Sequence, residues 1–354
     1  MMLTGTLLTL LAACQDNLPK ATEIERMRIL GTRIEVVGDE QRSTPKPGEK
    51  VRVSLTTVFP SIEDSADDLH TLLIGCTAPG RYTGGIPICQ ELIDLATTKD
   101  AQLIAALPML MKKLSCADID PGILSLTPST SLQCLTGAPT AVLPVGSDFR
   151  ADNFLFLGVV CERGTPYVDA TDPLLFGCED NDGETIRVHG QIPVEYKKAD
   201  ENRNPNIDDA LSLTIDDGEW DAFDPDMLPD ENDCEQSTDQ KSPTIPRRTG
   251  GDHTIGISYD PKDRDLVDGK PEVVELTVYA TDGDMERRFT LFDELDTPKK
   301  GLLKSQLKWS PPLTRATPKA GELPIGGQKL VRFFITVRDQ RSGYDVTSRA
   351  VCLH

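Results

Sequence analysis

Apolar and polar residues alternate with a period of two over much of the chain, and that period predicts a protein built mainly of β-strands. Val51, Val53 and Leu55 alternate with Arg52, Ser54 and Thr56, and Ile186, Val188, Ile192 and Val194 share one face of a segment from Thr185 to Tyr196. Ile29–Val36, Thr71–Gly75 and Asn153–Cys161 are further strand candidates. Later in the chain the same reading gives Leu211–Ile215, Thr254–Tyr259, Val273–Thr281, Arg288–Phe292, Leu303–Trp309, Lys329–Arg338 and Val346–Val351. Between Pro87 and Leu114 the period changes. Leu92, Leu95, Ala96, Leu103, Leu107, Leu110 and Leu114 recur at helical spacing, which predicts one or two amphipathic helices inserted among the strands, with Pro108 kinking or restarting the second. The Ser-, Thr- and Pro-rich run from Pro121 to Pro139 reads as a loop stapled through Cys134.

Residues 197–206 are almost wholly polar and end in Asn202-Arg203-Asn204-Pro205-Asn206, a turn-rich stretch suited to a domain junction. The expected architecture is therefore two β-sandwich modules of immunoglobulin-like type, 27–200 with the helical insertion and 201–354 without it. No repeat period relates the two.

The chain opens on an uncharged apolar run, Leu3 to Ala13, that ends in Leu11-Ala12-Ala13-Cys14. This reads as a bacterial lipoprotein signal, residues 1–13, followed by a lipidated Cys14 and a tether, 14–26. A buried helix that happens to precede a cysteine is the plainer alternative. Gln15 is not the aspartate that favours inner-membrane retention, so the outer membrane is the preferred address. Nine cysteines less Cys14 leave Cys76, Cys89, Cys116, Cys134, Cys161, Cys178, Cys234 and Cys352. An even remainder in an exported chain points to disulfides, whereas zinc would require closer clusters. Position along the chain favours Cys161–Cys178, across a short turn, and Cys234–Cys352, the two cysteines beyond the junction. The formal charge of −20, from 57 acidic and 37 basic residues, argues against nucleic acid and anionic lipid surfaces as partners.

The lipobox at Cys14 is joined by Arg28-Ile29-Leu30-Gly31 leading to Pro47-Gly48-Glu49, and by the Asn202–Asn206 turn. Phe333-Phe334-Ile335-Thr336-Val337-Arg338-Asp339 then precedes Arg349-Ala350-Val351-Cys352. In combination these make the chain resemble a group of uncharacterised envelope lipoproteins of myxobacteria and related deltaproteobacteria. The resemblance implies an anchored envelope protein with immunoglobulin-like domains and brings no catalytic residues with it.

Enzyme signatures are scarce. The chain has no G-x-S-x-G, H-E-x-x-H, P-loop or G-x-G-x-x-G sequence. Ser305 and Lys308 form an S-x-x-K, but in a strand-reading segment without companion motifs, so a chance match is expected. His189 sits on the polar face of its strand, and His70, His253 and His354 have no spaced ligand partner. The acidic stretch from Asp216 to Asp233, with Asp221, Asp224, Asp226 and Asp230, supplies the oxygen ligands that calcium takes without the EF-hand order; a solvated loop is the alternative. Trp220, amid those acids, is the one aromatic that offers itself as an exposed contact residue, although folding back onto the sandwich is the favoured reading. The leading expectation is a non-catalytic envelope lipoprotein with a structural or interaction role, its partners a lipid anchor and an envelope protein or surface ligand. A calcium-assisted adhesion or ligand-binding protein comes second and a hydrolase third.

Overall fold

The computed structural model describes residues 21–61, 64, 66–78, 89–90, 114–117, 123–127, 130–137, 139–169, 176–180, 182–197, 201–222, 234, 244–245, 251–293, 295–296, 298, 301–312 and 328–354. The fold is mainly β. In the first module the strands are β1 (Arg28–Val36), β2 (Lys50–Val58), β3 (His70–Thr77), β4 (Leu114–Ser115), β5 (Ile123–Thr127), β6 (Thr130–Thr136), β7 (Thr140–Pro144), β8 (Asn153–Cys161), β9 (Thr165–Val168), β10 (Phe176–Glu179) and β11 (Thr185–Pro193). A single helical turn, α1 (Ile207–Ala210), opens the second module. Its strands are β12 (Leu211–Ile215), β13 (Gly218–Glu219), β14 (Thr244–Ile245), β15 (His253–Tyr259), β16 (Leu266–Val267), β17 (Lys270–Pro271), β18 (Val274–Ala280), β19 (Asp284–Met285), β20 (Phe289–Phe292), β21 (Leu303–Ser310), β22 (Lys329–Asp339) and β23 (Tyr344–Leu353).

The sheets reveal a likeness that no sequence period shows. In the first module β1-β2-β7 faces β11-β8-β3-β6-β5; in the second β13-β12-β15-β21-β19 faces β14-β23-β22-β18-β20. With the short extra strands set aside, the order is the same: first, second and fifth strands in one sheet, and the remaining four in the other. Each pair of sheets closes on its own core. The first core contains Val51, Val53, Leu73, Leu143, Phe154, Phe156 and Ile192. The second is centred on Trp220, Trp309 and Phe333, whose rings meet edge to face with centroids 4.9 Å apart.

The first module carries a third layer. Along β8, Phe154, Phe156 and Val160 enter the core, while Leu155, Leu157, Val159 and Cys161 face the other way into a second apolar cluster with Leu72, Ile74, Cys76 and Phe176. A small sheet, β10-β9-β4, belongs to this cover. Three disulfides fasten it, and each takes one cysteine from a different strand of the long sheet: Cys76 of β3 to Cys89, Cys134 of β6 to Cys116, and Cys161 of β8 to Cys178, with Cα–Cα separations of 5.6, 5.7 and 5.9 Å. In the second module Cys234 and Cys352, 5.7 Å apart at Cα, tie the segment leading to β14 onto β23. The structure thus contains both pairs favoured by position and supplies the two that position left open.

Several expectations need correction. The run from Pro121 to Pro139 contains the antiparallel strands β5 and β6, and β6 pairs with β3 over His70–Gly75, so its Ser and Thr residues belong to a sheet rather than a loop. The short strands β7, β9 and β10 were not expected. Ile24, in the expected tether, is fully buried: its N–H donates to Ala280 O and Ala280 N–H to Thr22 O, both at 2.9 Å, so the chain docks on the second module before it enters the first. The helical reading of 87–114 and the lipobox with Cys14 lie outside the described residues, apart from Cys89, Gln90 and Leu114. No helix among the described residues is long and apolar enough to cross a membrane.

Candidate functional site

The densest gathering of polar chemistry lies where the two modules meet, and the Asn-rich turn builds it. Asn202 is fully buried; its N–H donates to Thr44 Oγ1 at 2.9 Å and its carbonyl accepts from Ser43 N–H. Its side-chain amide donates to Asp339 Oδ2 at 2.8 Å and to Ser43 Oγ at 3.0 Å. Asn204 spans the seam: Nδ2 donates to Ile34 O of β1 at 2.7 Å, and Oδ1 accepts from Tyr344 N of β23 at 3.2 Å. Arg33 pairs with Asp345 at 2.7 Å, and Arg332 donates to Phe59 O at 2.8 Å. Below these, Ile24, Leu30 and Val58 pack against Tyr279 and Phe334. Gly31 has to be a glycine, since a Cβ there would overlap the Tyr344 ring.

Beside this seam a cleft of about 380 Å³ opens between β1, β11 and the β22–β23 turn, lined in part by Thr32, His189, Gln191, Arg338, Ser342 and Tyr344. Asp339 holds the turn, accepting from the N–H groups of Arg341 and Gly343, each at 2.7 Å. Ser342 takes a left-handed conformation, φ 79°, within it. Arg341 reaches back to Glu201 O at 2.9 Å, to Asp265 at 3.3 Å and to Glu272 at 3.5 Å. One guanidinium thus serves two carboxylates and a backbone carbonyl. Burial, then the negative charge of Asp339, pushes Glu272 up to about 7. Burial raises Asp339 too, against the opposing hydrogen bonds from Asn202, Arg341 and Gly343. Burial likewise raises Asp263 and Asp345. Of these carboxylates Asp345 reaches across the seam to Arg33, whereas Glu272 and Asp263 bond within the second module, to Arg341 and to Tyr259; no hydrogen bond among the described residues joins His189 to a carboxylate or to Ser342.

No family model matches the chain, and no curated protein does. Among solved structures it is similar to a cryo-EM reconstruction of the native conformation of E. coli alpha-2-macroglobulin, with 8% identity, TM-score 0.22, and coverage of 91% of this chain and 17% of that one. The chain spans less than a fifth of that protein's length, and so loose a likeness carries no argument.

The residues singled out by sequence are scattered. Asp224, Asp226 and Asp230 lie outside the described residues, and Asp221 is exposed at the border of that gap. Among the described residues no group of three or more His, Cys, Asp or Glu side chains is placed to hold a metal ion. Asp216 and Asp217, φ 49° and 64°, form the tight turn between β12 and β13. Trp220 folds back and is buried, the favoured reading: its Nε1 donates to Ala350 O at 3.0 Å, and Arg349 Nε donates to its carbonyl at 2.7 Å. Ser305 and Lys308 fall on opposite faces of β21, as residues three apart in a strand must, and Ser305 meets Thr290 at 2.8 Å.

One pairing was missed. His253 Nδ1 lies 2.6 Å from Asp216 Oδ2, and Asp216 Oδ1 accepts from Thr254 N–H at 2.9 Å. Burial acts to raise Asp216, but these hydrogen bonds outweigh it and hold the carboxyl below its ordinary value. The dyad ties the β12–β13 turn to β15, and the two residues are too far apart in sequence for spacing to betray it.

Proposed function

We propose that the protein is a non-catalytic structural or interaction protein of the bacterial envelope, carried on a lipid at Cys14 with the outer membrane as its address, and that both sandwiches are immunoglobulin-like. The shared strand order supports the last point, since three strands opposed to four is the arrangement of that fold. The observation that carries the functional reading is the seam. Fully buried Asn202, buried Asn204, the Arg33–Asp345 pair and the Ile24–Phe334 contact hold two sandwiches at a fixed angle. A molecule that spends its buried polar groups on rigidity suits presentation of surfaces to a partner better than turnover of a substrate.

The test has two arms. Metabolic labelling with an alkynyl fatty acid is expected to mark the wild type and spare Cys14→Ala; equal labelling refutes the anchor. Crosslinking in intact envelopes is expected to yield a defined partner that is lost when the chain is truncated at Asn202. A hydrolytic activity of the purified protein that disappears in His189→Ala would overturn the reading in favour of an enzyme.

A further inference from the structure

Among the described residues no strand pairs with the outer side of β20, the edge of the β14-β23-β22-β18-β20 sheet, and that edge is apolar. On β20, Phe289 and Leu291 are 46% and 48% exposed, while Thr290 and Phe292 are buried. Leu295, just beyond, is 81% exposed. Exposed, unbroken apolar edge strands pair with further strands unless something blunts them. The first module blunts the equivalent strand, β6, by pairing it with β5.

The direction of the free backbone groups follows from the ladder. Ala280 bonds Thr22 and Ile24 on the side away from β22, and Thr281 N–H bonds Arg332 O on the β22 side. Even-numbered residues of β18 therefore point toward β20, where Val274 and Leu276 oppose Phe292 and Thr290. Phe289 and Leu291 consequently aim their N–H and C=O groups outward, and no described residue takes them. The same strand is charge-polarised: Arg287 and Arg288 precede it and Asp293 follows it.

We propose that β20 is a self-association edge, its occupant β20 of a second copy of this chain running antiparallel. With Thr290 opposite Thr290 on the two-fold axis, Phe289 of each copy meets Leu291 of the other. Both are outward-bonding residues, so the pair exchanges two hydrogen bonds and the side chains lie on the same face. In that register Arg287 of each copy stands opposite Asp293 of the other, giving two symmetry-related ion pairs. Arg287 already donates one N–H to Gln306 O and keeps its remaining donors for the carboxylate. The contact is isologous and closes at two copies.

The full chain in detergent of matched density, studied by sedimentation equilibrium over a concentration series, tests this. The expected result is a monomer–dimer equilibrium that Leu291→Lys abolishes, with the melting temperature unchanged at dilutions where the wild type is monomeric, since Leu291 is exposed in the monomer. Arg287→Asp and Asp293→Arg are each expected to weaken the dimer by roughly tenfold, two surface ion pairs being lost at once, and the double variant Arg287→Asp with Asp293→Arg to restore it. A monomer at every concentration overturns the proposal, and so does a dimer indifferent to Leu291→Lys. A monomer whose Phe289 and Leu291 amides resist hydrogen exchange also overturns it, because the edge is then filled by a segment of the same chain.

Discussion

The two modules use one strand order to solve different burial problems. In the first, the long sheet is covered on both faces, by β1-β2-β7 on one side and the disulfide-fastened layer on the other. Its central strands β3 and β8 are consequently almost continuously buried and apolar. In the second, the strand equivalent to β3 is β18, where Val274, Leu276, Val278 and Ala280 are buried while Glu275 and Tyr279 on the other face are only half-buried. The comparison teaches that the hydrophobic pattern of a strand reports how many of its faces are covered, even where topology is shared. It also gives the cysteines a reason: a thin cover of short strands has little core of its own, and covalent links to three separate strands hold it down.

The largest expected effect separates the staples. Replacing both Cys234 and Cys352 by alanine opens a loop of 118 residues, worth about 5 kcal/mol in the chain-entropy account, whereas removing Cys161–Cys178, separated by 17, costs about 3 kcal/mol. Denaturant melts of the two double variants measure the difference; equal losses would mean that strain or residual structure, and not loop length, governs these bonds. Next, Leu157→Ala on the covered face of β8 should cost about 3 kcal/mol, while Lys308→Ala on the open face of β21 should stay within about 0.5 kcal/mol. A small loss for Leu157 would break the two-face reading of the first module.

The seam is tested by Asn204→Ala, which leaves Ile34 O and Tyr344 N–H unpaired in a buried site and should cost about 2 kcal/mol. Calorimetry is expected to show one transition resolving into two as the modules uncouple. A further effect is a pH dependence that Glu272 of the second module imposes on the fold. Glu272 has a folded value near 7 against an ordinary 4.5, so its contribution is fully present below 4.5 and fades as pH rises through 7. Stability should therefore fall as pH rises from about 4.5 to about 7, and Glu272→Gln should flatten the slope.

How much of this could be read from the sequence depended on how local the cause was. Asn153–Cys161 and Leu211–Ile215 are strands at the residues expected, because alternation or an unbroken apolar run is written in neighbouring positions. The strand β6 was missed because Ser131, Gln133 and Thr136 look like a loop until β3 supplies their partners. What receives Trp220 was not legible among its acidic neighbours, because the carbonyl that accepts its N–H belongs to Ala350, on a strand formed far later in the chain. The repeated strand order was invisible for the same reason: the first module's cover changes the very pattern by which its strands would be matched to those of the second. At the seam, the ends of the hydrogen bonds made by Asn202 and Asn204, on Thr44, Ile34 and Tyr344, could come only from the folded chain.

The docking of Thr22–Ile24 on Ala280 has a mechanical consequence. The chain enters the fold at the seam, bonded first to β18 of the second module and then, within a few residues, to β2 of the first through Arg28 and Val58. Tension applied to the residues before Thr22 is delivered along the strand direction to both sandwiches at once. The load path resists by shear across neighbouring hydrogen bonds instead of peeling one module open, and such a pull moves the body as a single piece.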